Sequence, residues 1–367
     1  MSAHNRFFMI TSITLITLLA LGGSVLAASN FPDANNHWAE DEIEYLENLG
    51  LVSGLPDGTY GVGNPITRAQ VAQLIANEQG LASTPAPYPD VPAGHWGSGA
   101  IGAVTAAGLM GGFPDGTFRP DDYLTRAQAA TVLANAYQTS ASPASPTFPD
   151  VPIGHWAYAA VEGLVADFVA AGYPDGTFAP NTDVTRAEFA VFLARVLEPT
   201  FTTPLQLLAK TQDVVTALDA EDMDAFSDFV HPTLGVRFSP YSYVLSSHLV
   251  FTASAVENLL TDPTVYNWGT EDGTGDPIMK TPQEYFDRYV IDKDYTSPDD
   301  IQYNNVVQRG SMLVNIPTFY PNGIFVEYYV EGTAQYVGMD WGSLYVVFEE
   351  DGGDWYVVGI VHGEWTT

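Results

Sequence analysis

The four residues Thr67-Arg68-Ala69-Gln70 return as Thr125-Arg126-Ala127-Gln128 and as Thr185-Arg186-Ala187-Glu188. Each copy follows the Pro of a Pro-Asp-Gly-Thr turn (Pro56, Pro114, Pro174) by 11 residues. Each opens an apolar run at helical spacing: Val71, Leu74 and Ile75; Val132 and Leu133; Phe189, Phe192, Leu193 and Val196. Thr followed three residues later by Gln or Glu ahead of such a run is a capping box, in which two backbone N–H groups of a helix start are satisfied reciprocally. The sequence therefore contains three equivalent helix N-termini.

The Arg in that slot is not explained by helix stability. A cation in the first turn faces the positive end of the helix dipole, at a cost of roughly 0.3–1 kcal/mol. Cations are also scarce: 12 Lys plus Arg stand against 44 Asp plus Glu. Between Ala28 and Pro199 the basic residues are Arg68, Arg119, Arg126, Arg186 and Arg195, so three of five occupy the same slot. Two readings stay open. Either the guanidinium and free helix N–H groups form an anion site, or each Arg pairs with a nearby acid and ties two helices together.

Around these anchors a unit of about 60 residues repeats from Phe31 to Pro199. Phe31-Pro32-Asp33, Tyr88-Pro89-Asp90 and Phe148-Pro149-Asp150 mark the starts. His37-Trp38, His95-Trp96 and His155-Trp156 follow, each His 31 residues before the motif Arg. A first helix follows each His-Trp, with an apolar face at Ile43 and Leu46, at Ile101 and Val104, and at Val161 and Leu164. Gly50 and Gly108 read as left-handed residues that end the helix; the third unit has Phe168 there and must end differently or run on. The second unit's helix carries Gly97, Gly99 and Gly102, and interior glycines cost roughly 1 kcal/mol each, which marks it as the weakest unit. The Trp reads as a core anchor or as a sugar platform, and the His as a turn or capping residue or as a ligand. Proline-rich joins (Pro85, Pro87; Pro143, Pro146) let each unit be placed separately.

These motifs at fixed offsets resemble the S-layer homology family over roughly 165 residues in three copies. The resemblance implies an all-α pseudo-trimer, a three-prong spindle with a central helical bundle and grooves between prongs. It implies binding to an acidic, often pyruvylated, secondary cell-wall polysaccharide attached to peptidoglycan, and a place at the cell wall or surface layer. It carries the motif Arg to the acidic sugar substituent, hence Arg68, Arg126 and Arg186. Asp33, Asp90, Asp150, Trp38, Trp96 and Trp156 are candidate groove residues. Replacing each Arg by Ala is expected to weaken binding with little loss of fold. The chain departs from the family where the usual Glu of the capping box is Gln, in units one and two.

Residues 1–27 read as a secretory leader: Arg6, an apolar run from Phe7 to Leu21, and small residues up to Ala27. There is no Cys, which excludes disulfides, thiolate metal sites and a lipid-modified N-terminal Cys. The net charge of −32 argues against nucleic acid or anionic lipid as a partner. The expected organisation is a leader at 1–27, repeats at 28–82, 83–140 and 141–199, and a C-terminal domain at 200–367. No later stretch is long enough to span a membrane.

The C-terminal domain is aromatic-rich and reads as α+β. Helices are expected at Leu205–Leu218, Asp222–Val230, Thr252–Leu260 and Gln283–Ile291. Strands are expected around Val236 and at Val265–Trp268, Ile324–Glu331, Ser343–Glu349 and Trp355–Val361, the last two joined by a hairpin at Glu350-Asp351-Gly352-Gly353. A curved antiparallel sheet wrapped on helices is similar in element order to the NTF2-like cone. Segments such as His231-Pro232, Asn267-Trp268-Gly269 and Gly338-Met339-Asp340-Trp341 resemble an exported lipoprotein-type domain. No nucleophile, zinc or phosphate motif is present, and Asp292-x-Asp294 lacks the Gly of a calcium loop, so no catalytic residue, metal or cofactor is assigned. Candidate pocket residues are Arg237, His362, Glu327, Asp340 and His231, under aromatic walls that include Tyr328, Phe348 and Tyr356. The bland alternative makes His231 a helix cap and pairs the two acids with Arg237. Two functions are weighed: a non-enzymatic wall-anchored protein displaying a ligand- or protein-binding domain, and a wall-anchored enzyme with its site in 205–367.

Overall fold

The structure, a computed structural model, describes residues 30–137, 139, 145–173, 175–310 and 312–365. The leader, Pro143 and Pro174 lie outside the described residues. The chain divides into two compact units, one ending at Thr203 and one running from Pro204 to Thr367.

The first unit is helical: α1 (Glu40–Asn48), α2 (Arg68–Glu78), α3 (Ser98–Ala106), α4 (Arg126–Ala136), α5 (Tyr158–Ala166) and α6 (Arg186–Leu197). The three capping boxes start α2, α4 and α6, with Thr67, Thr125 and Thr185 as N-caps. The shorter helices start on the His instead: His37, His95 and His155 each accept, at Nδ1, the backbone N–H two residues on. They end on left-handed Gly50 and Gly108, and on Phe168 at φ +59°, so the third unit ends the same way without a glycine.

Backbone hydrogen bonds join the repeats in a closed ring. Ile66 N–H donates to Val184 O, Leu124 N–H to Ile66 O, and Val184 N–H to Leu124 O. Around this ring α2 packs on α3, α4 on α5, and α6 on α1. Each repeat thus buries its apolar face against the next one, with Ile43, Leu46, Val71, Ile75, Leu133, Leu164 and Leu193 all in one core.

The glycines of α3 make room for the preceding linker. Thr84 N–H donates to Gly99 O at 3.1 Å, and a Cβ on Gly102 would stand 1.8 Å from Thr84 O. In α5 the same strap is held differently, by Glu162, which accepts Thr147 N–H at 2.8 Å and its hydroxyl at 2.6 Å. The helical cost of these glycines is therefore set against a strap that larger residues would expel. Gly102→Ala gains roughly 1 kcal/mol of helix propensity and loses more, about 1–3 kcal/mol, to overpacking against backbone. The variant is expected to unfold at lower denaturant than wild type; an unchanged or raised midpoint would show that the strap is not held there.

The second unit opens with α7 (Thr203–Asp219) and α8 (Met223–Ser227). Strands β1 (Val236–Ser239) and β2 (Val250–Phe251), helix α9 (Ala253–Val256), hairpin β3 (Tyr266–Thr270) and β4 (Pro277–Lys280), and α10 (Pro282–Tyr289) follow. The chain ends with β5 (Asp300–Tyr303), α11 (Ile316–Phe319), β6 (Ile324–Val330), β7 (Gly342–Asp351) and β8 (Asp354–Glu364). The main sheet has the order β2-β1-β8-β7-β6-β5. It is mixed, because β1 runs parallel to β8; the expected purely antiparallel sheet is corrected there. The expected hairpin turn is made by Gly352 and Gly353, both at positive φ.

Both faces of the sheet are covered. On one, Phe238, Tyr328, Leu344, Val346, Phe348 and Ile360 pack with Leu207, Val214, Val215 and Leu218 of α7 and with Trp268, Tyr285 and Tyr289. On the other, Phe325, Tyr345, Val347 and Val361 pack with Val244, Ile316 and Tyr320. A strand buried on both faces reads as continuous apolar sequence rather than alternation, which accounts for the aromatic excess in β6–β8. Tyr328 and Phe348 fill the core rather than line a pocket, and Tyr356 packs against His231. Among the described residues no helix is long and apolar enough to cross a membrane.

Candidate functional site

The repeated motifs converge at the junctions between repeats. In each repeat the carboxylate of the first marker folds back on the loop after the Pro-Asp-Gly-Thr turn. Asp33 accepts the N–H groups of Tyr60, Gly61 and Val62, Asp90 those of Phe118 and Arg119, and Asp150 those of Phe178 and Ala179. Burial raises the Asp33 pKa, but these N–H donors outweigh it and hold the group below the ordinary carboxylate range. The marker aromatic stands on the same loop: Phe31 on Tyr60, Tyr88 on Phe118, and Phe148 on Phe178, with centroids 5.3–5.5 Å apart.

That loop is held from the other side by the motif Arg of the preceding repeat. Arg68 Nε donates to Phe118 O at 2.8 Å and Nη2 to Gly111 O at 2.8 Å. Arg126 makes the same pair with Phe178 O and Ala171 O, and Arg186 closes the ring on Tyr60 O and Ser53 O. Each guanidinium lies 4.6–4.7 Å from the ring it serves: Phe118, Phe178 or Tyr60. Arg68 and Arg126 are buried and Arg186 is partly exposed. The helix starts are occupied as well. The N–H groups of Arg68 and Ala69 donate to Asp122 O and Pro120 O, with the same pattern at α4 and α6. The free N–H groups expected there are corrected: they belong to the repeat-to-repeat ring. The expectation that the Arg residues are dispensable for the fold is corrected too, since each ties two repeats together.

Sequence reasoning missed Gly54, Gly112 and Gly172. A Cβ on each would stand 2.2–2.7 Å from the ring of Phe31, Tyr88 or Phe148. Their recurrence two residues before the turn Pro was the available signal.

The tryptophans are not core anchors. Trp38, Trp96 and Trp156 are 58%, 60% and 63% exposed, each with its ring against the preceding His at 5.2–5.6 Å. Trp96 opens α3, which packs on α2, and a Cβ on the adjoining Gly97 would lie 3.6 Å from Ala69 Cβ. Each exposed Trp thus precedes a helix that packs on an Arg-bearing helix of the neighbouring repeat: α3 on α2, α5 on α4 and α1 on α6.

The five candidates of the second unit do not converge. His231 takes the N–H groups of Thr233 and Leu234 at Nδ1, a turn residue after α8. Arg237 donates to Leu245 O, Ser246 O and His248 O and lies over Phe319. Asp340 holds the Thr333 N–H and hydroxyl in the β6–β7 loop. Glu327, fully buried, binds Arg309 at 2.9 Å and the Ser343 hydroxyl at 2.6 Å. His362 sits between Pro240 O and Asp292. Neither acid pairs with Arg237. In register, Glu327 lies opposite Tyr345 and Val361, whereas His362 lies opposite Leu344 and Tyr328. The two therefore face opposite sides of the sheet and share no pocket. Among the described residues no group of three or more His, Asp or Glu is placed to hold a metal ion.

Residues 30–72, 87–130 and 147–190 match the S-layer homology domain. The chain is 36% identical over 163 residues to a cellulosome-anchoring protein of Acetivibrio thermocellus, covering 41% of this chain and 36% of that protein. It is 35% identical over 168 residues to cell surface glycoprotein 1 of the same organism, covering 41% and 7%. It is 34% identical over 174 residues to an S-layer protein of Bacillus licheniformis, covering 46% and 20%. The matched region is thus little more than a third of these relatives at most.

Proposed function

We propose that this chain, whose residues 30–72, 87–130 and 147–190 are S-layer homology domains, is held non-covalently at the cell wall by its first unit. The relatives named as anchoring, cell-surface and S-layer proteins support that placement. The bound species is an acidic polysaccharide of the wall, of the pyruvylated secondary-polymer type. The observation that carries this reading is the threefold recurrence of an exposed Trp ahead of a helix that packs on an Arg-bearing helix of the neighbouring repeat. A solvent-facing indole offers a flat apolar face for a sugar ring, while a guanidinium recognises a carboxylate. We read the closed ring of repeats as the three-prong arrangement, with the inter-repeat junctions as its grooves.

The second unit is displayed by the first. Its strand order, with β1 parallel to β8 and helices α7 and α8 ahead of the sheet, supports the cone-type α+β reading. Because its polar candidates are each consumed by structural contacts, a binding rather than catalytic role fits it best. The test is sedimentation with purified cell walls: residues 28–199 are expected to co-sediment and residues 200–367 to stay in solution. Equal sedimentation of the two fragments would end the anchoring assignment.

A further inference from the structure

The three grooves share their architecture but differ in charge. In the groove between the second and third repeats, Arg126 Nη1 meets Glu188 Oε1 at 3.1 Å. Glu188 is the capping-box acid of the third repeat, and its other oxygen accepts the Thr185 N–H at 2.8 Å. The Tyr173 hydroxyl donates to the same Oε1 at 3.2 Å. That guanidinium is therefore neutralised within the protein.

By equivalence of the repeats, the positions that correspond to Glu188 at the Arg68 and Arg186 junctions are Gln128 and Gln70. Each spends its Oε1 on the N-cap N–H of Thr125 or Thr67. The remaining terminal atom of each side chain is Nε2, a donor, where Glu188 presents an acceptor. Neither Arg68 Nη1 nor Arg186 Nη1 has a protein acceptor among the described residues. Burial lowers the Arg68 pKa, and the nearby Asp122 carboxylate, whose backbone carbonyl accepts the Arg68 N–H, offsets part of that. At Arg186 the corresponding residue is the neutral Asn64. Arg186 is also the most exposed of the three, with Arg68 5% and Arg126 4% exposed.

We propose that the capping-box residue ranks the grooves, so that the one between the third and first repeats (Arg186 and Gln70) takes the anionic group of the saccharide, while Glu188 closes the groove at Arg126 to anions. This rests on the reading that the first unit binds an acidic wall polysaccharide. A carboxylate at position 70 would occupy the Arg186 fork as Glu188 occupies that of Arg126. A ligand anion must then displace an internal one, and its net advantage in binding falls toward zero. The Asp of the first marker does not discriminate, because all three repeats have it and each is spent on backbone N–H groups.

Calorimetric titration of the full chain with a pyruvate-acetal saccharide, and with its methyl ester as an uncharged control, tests this. Gln70→Glu keeps the capping box, as Glu188 itself shows, so its fold is preserved. It is expected to bind the acid about ten- to hundredfold more weakly, the value of one charge-assisted hydrogen bond, with the ester little changed. Glu188→Gln is expected to add a second acid-binding site, and Gln128→Glu to leave the main site intact. Wild-type binding that survives Gln70→Glu overturns the ranking while leaving wall binding in place. Absence of acid-selective binding by the wild type overturns the wall-polymer reading and the ranking together.

Discussion

Arg126→Ala is expected to destabilise the first unit by about 3–5 kcal/mol, the usual cost of removing one partner of a buried ion pair. Arg126 is 4% exposed and bridges two repeats. Its loss leaves Phe178 O and Ala171 O without donors and Glu188 without its cation. It also removes a guanidinium packed over Tyr173 and Phe178. Because the Glu188 side chain is 18% exposed, water reaches the orphaned acid, and the result belongs at the lower end of that range. Arg186→Ala is expected to cost less, since it leaves two carbonyls but no carboxylate behind. Urea unfolding of both variants gives the comparison. An Arg126→Ala midpoint equal to that of wild type would mean that the ring of repeats does not depend on the Arg.

The same Arg shows what could and could not be read from sequence. A capping box is local: Thr67 and Gln70 are three residues apart and their reciprocal bonds follow from residue type. The His turns and the left-handed Gly50 and Gly108 are equally local. The partners of the motif Arg are not. Arg126 reaches carbonyls 45 and 52 residues away, and backbone acceptors leave no trace in residue identity. An ion pair with a side-chain acid was one reading, and it holds only at Arg126, where a Glu is present. The exposed tryptophans were hidden for the opposite reason: composition favours burial of Trp, and only the position of α3 on α2 leaves Trp96 outside. In the second unit the strands were legible but the register was not. A shift of one residue decides which face Glu327 takes, and with it whether Glu327 and His362 share a pocket.

Acid is expected to weaken the second unit through His248, well before its carboxylates titrate. His248 is 5% exposed, and its Nδ1 accepts the Leu245 N–H at 3.2 Å. A backbone N–H can only donate, so Nδ1 is unprotonated, the ring carries its proton on Nε2, and the Ser239 hydroxyl at 2.8 Å donates to Nδ1 as well. Burial, and then the Arg237 guanidinium whose fork is held by the His248 carbonyl, push the pKa down to about 4 from 6.5. The unfolded chain binds this proton at higher pH than the folded one. Stability therefore falls as pH drops from about 6.5, and the loss levels off below about 4. A shift of roughly 2.5 units corresponds to about 3 kcal/mol over that window. Asp292 and Asp300 also have lowered values, but their contribution is lost only below the ordinary carboxylate range, near pH 4. The two effects thus separate on the pH axis. His248→Gln retains an acceptor for the Leu245 N–H and cannot titrate, so its unfolding free energy is expected to be flatter between pH 6.5 and 4 than that of wild type. Tracking the second unit by near-ultraviolet circular dichroism, which reports the stacked Trp268 and Tyr285, reads this directly. Identical pH slopes for the two proteins would place the acid lability elsewhere.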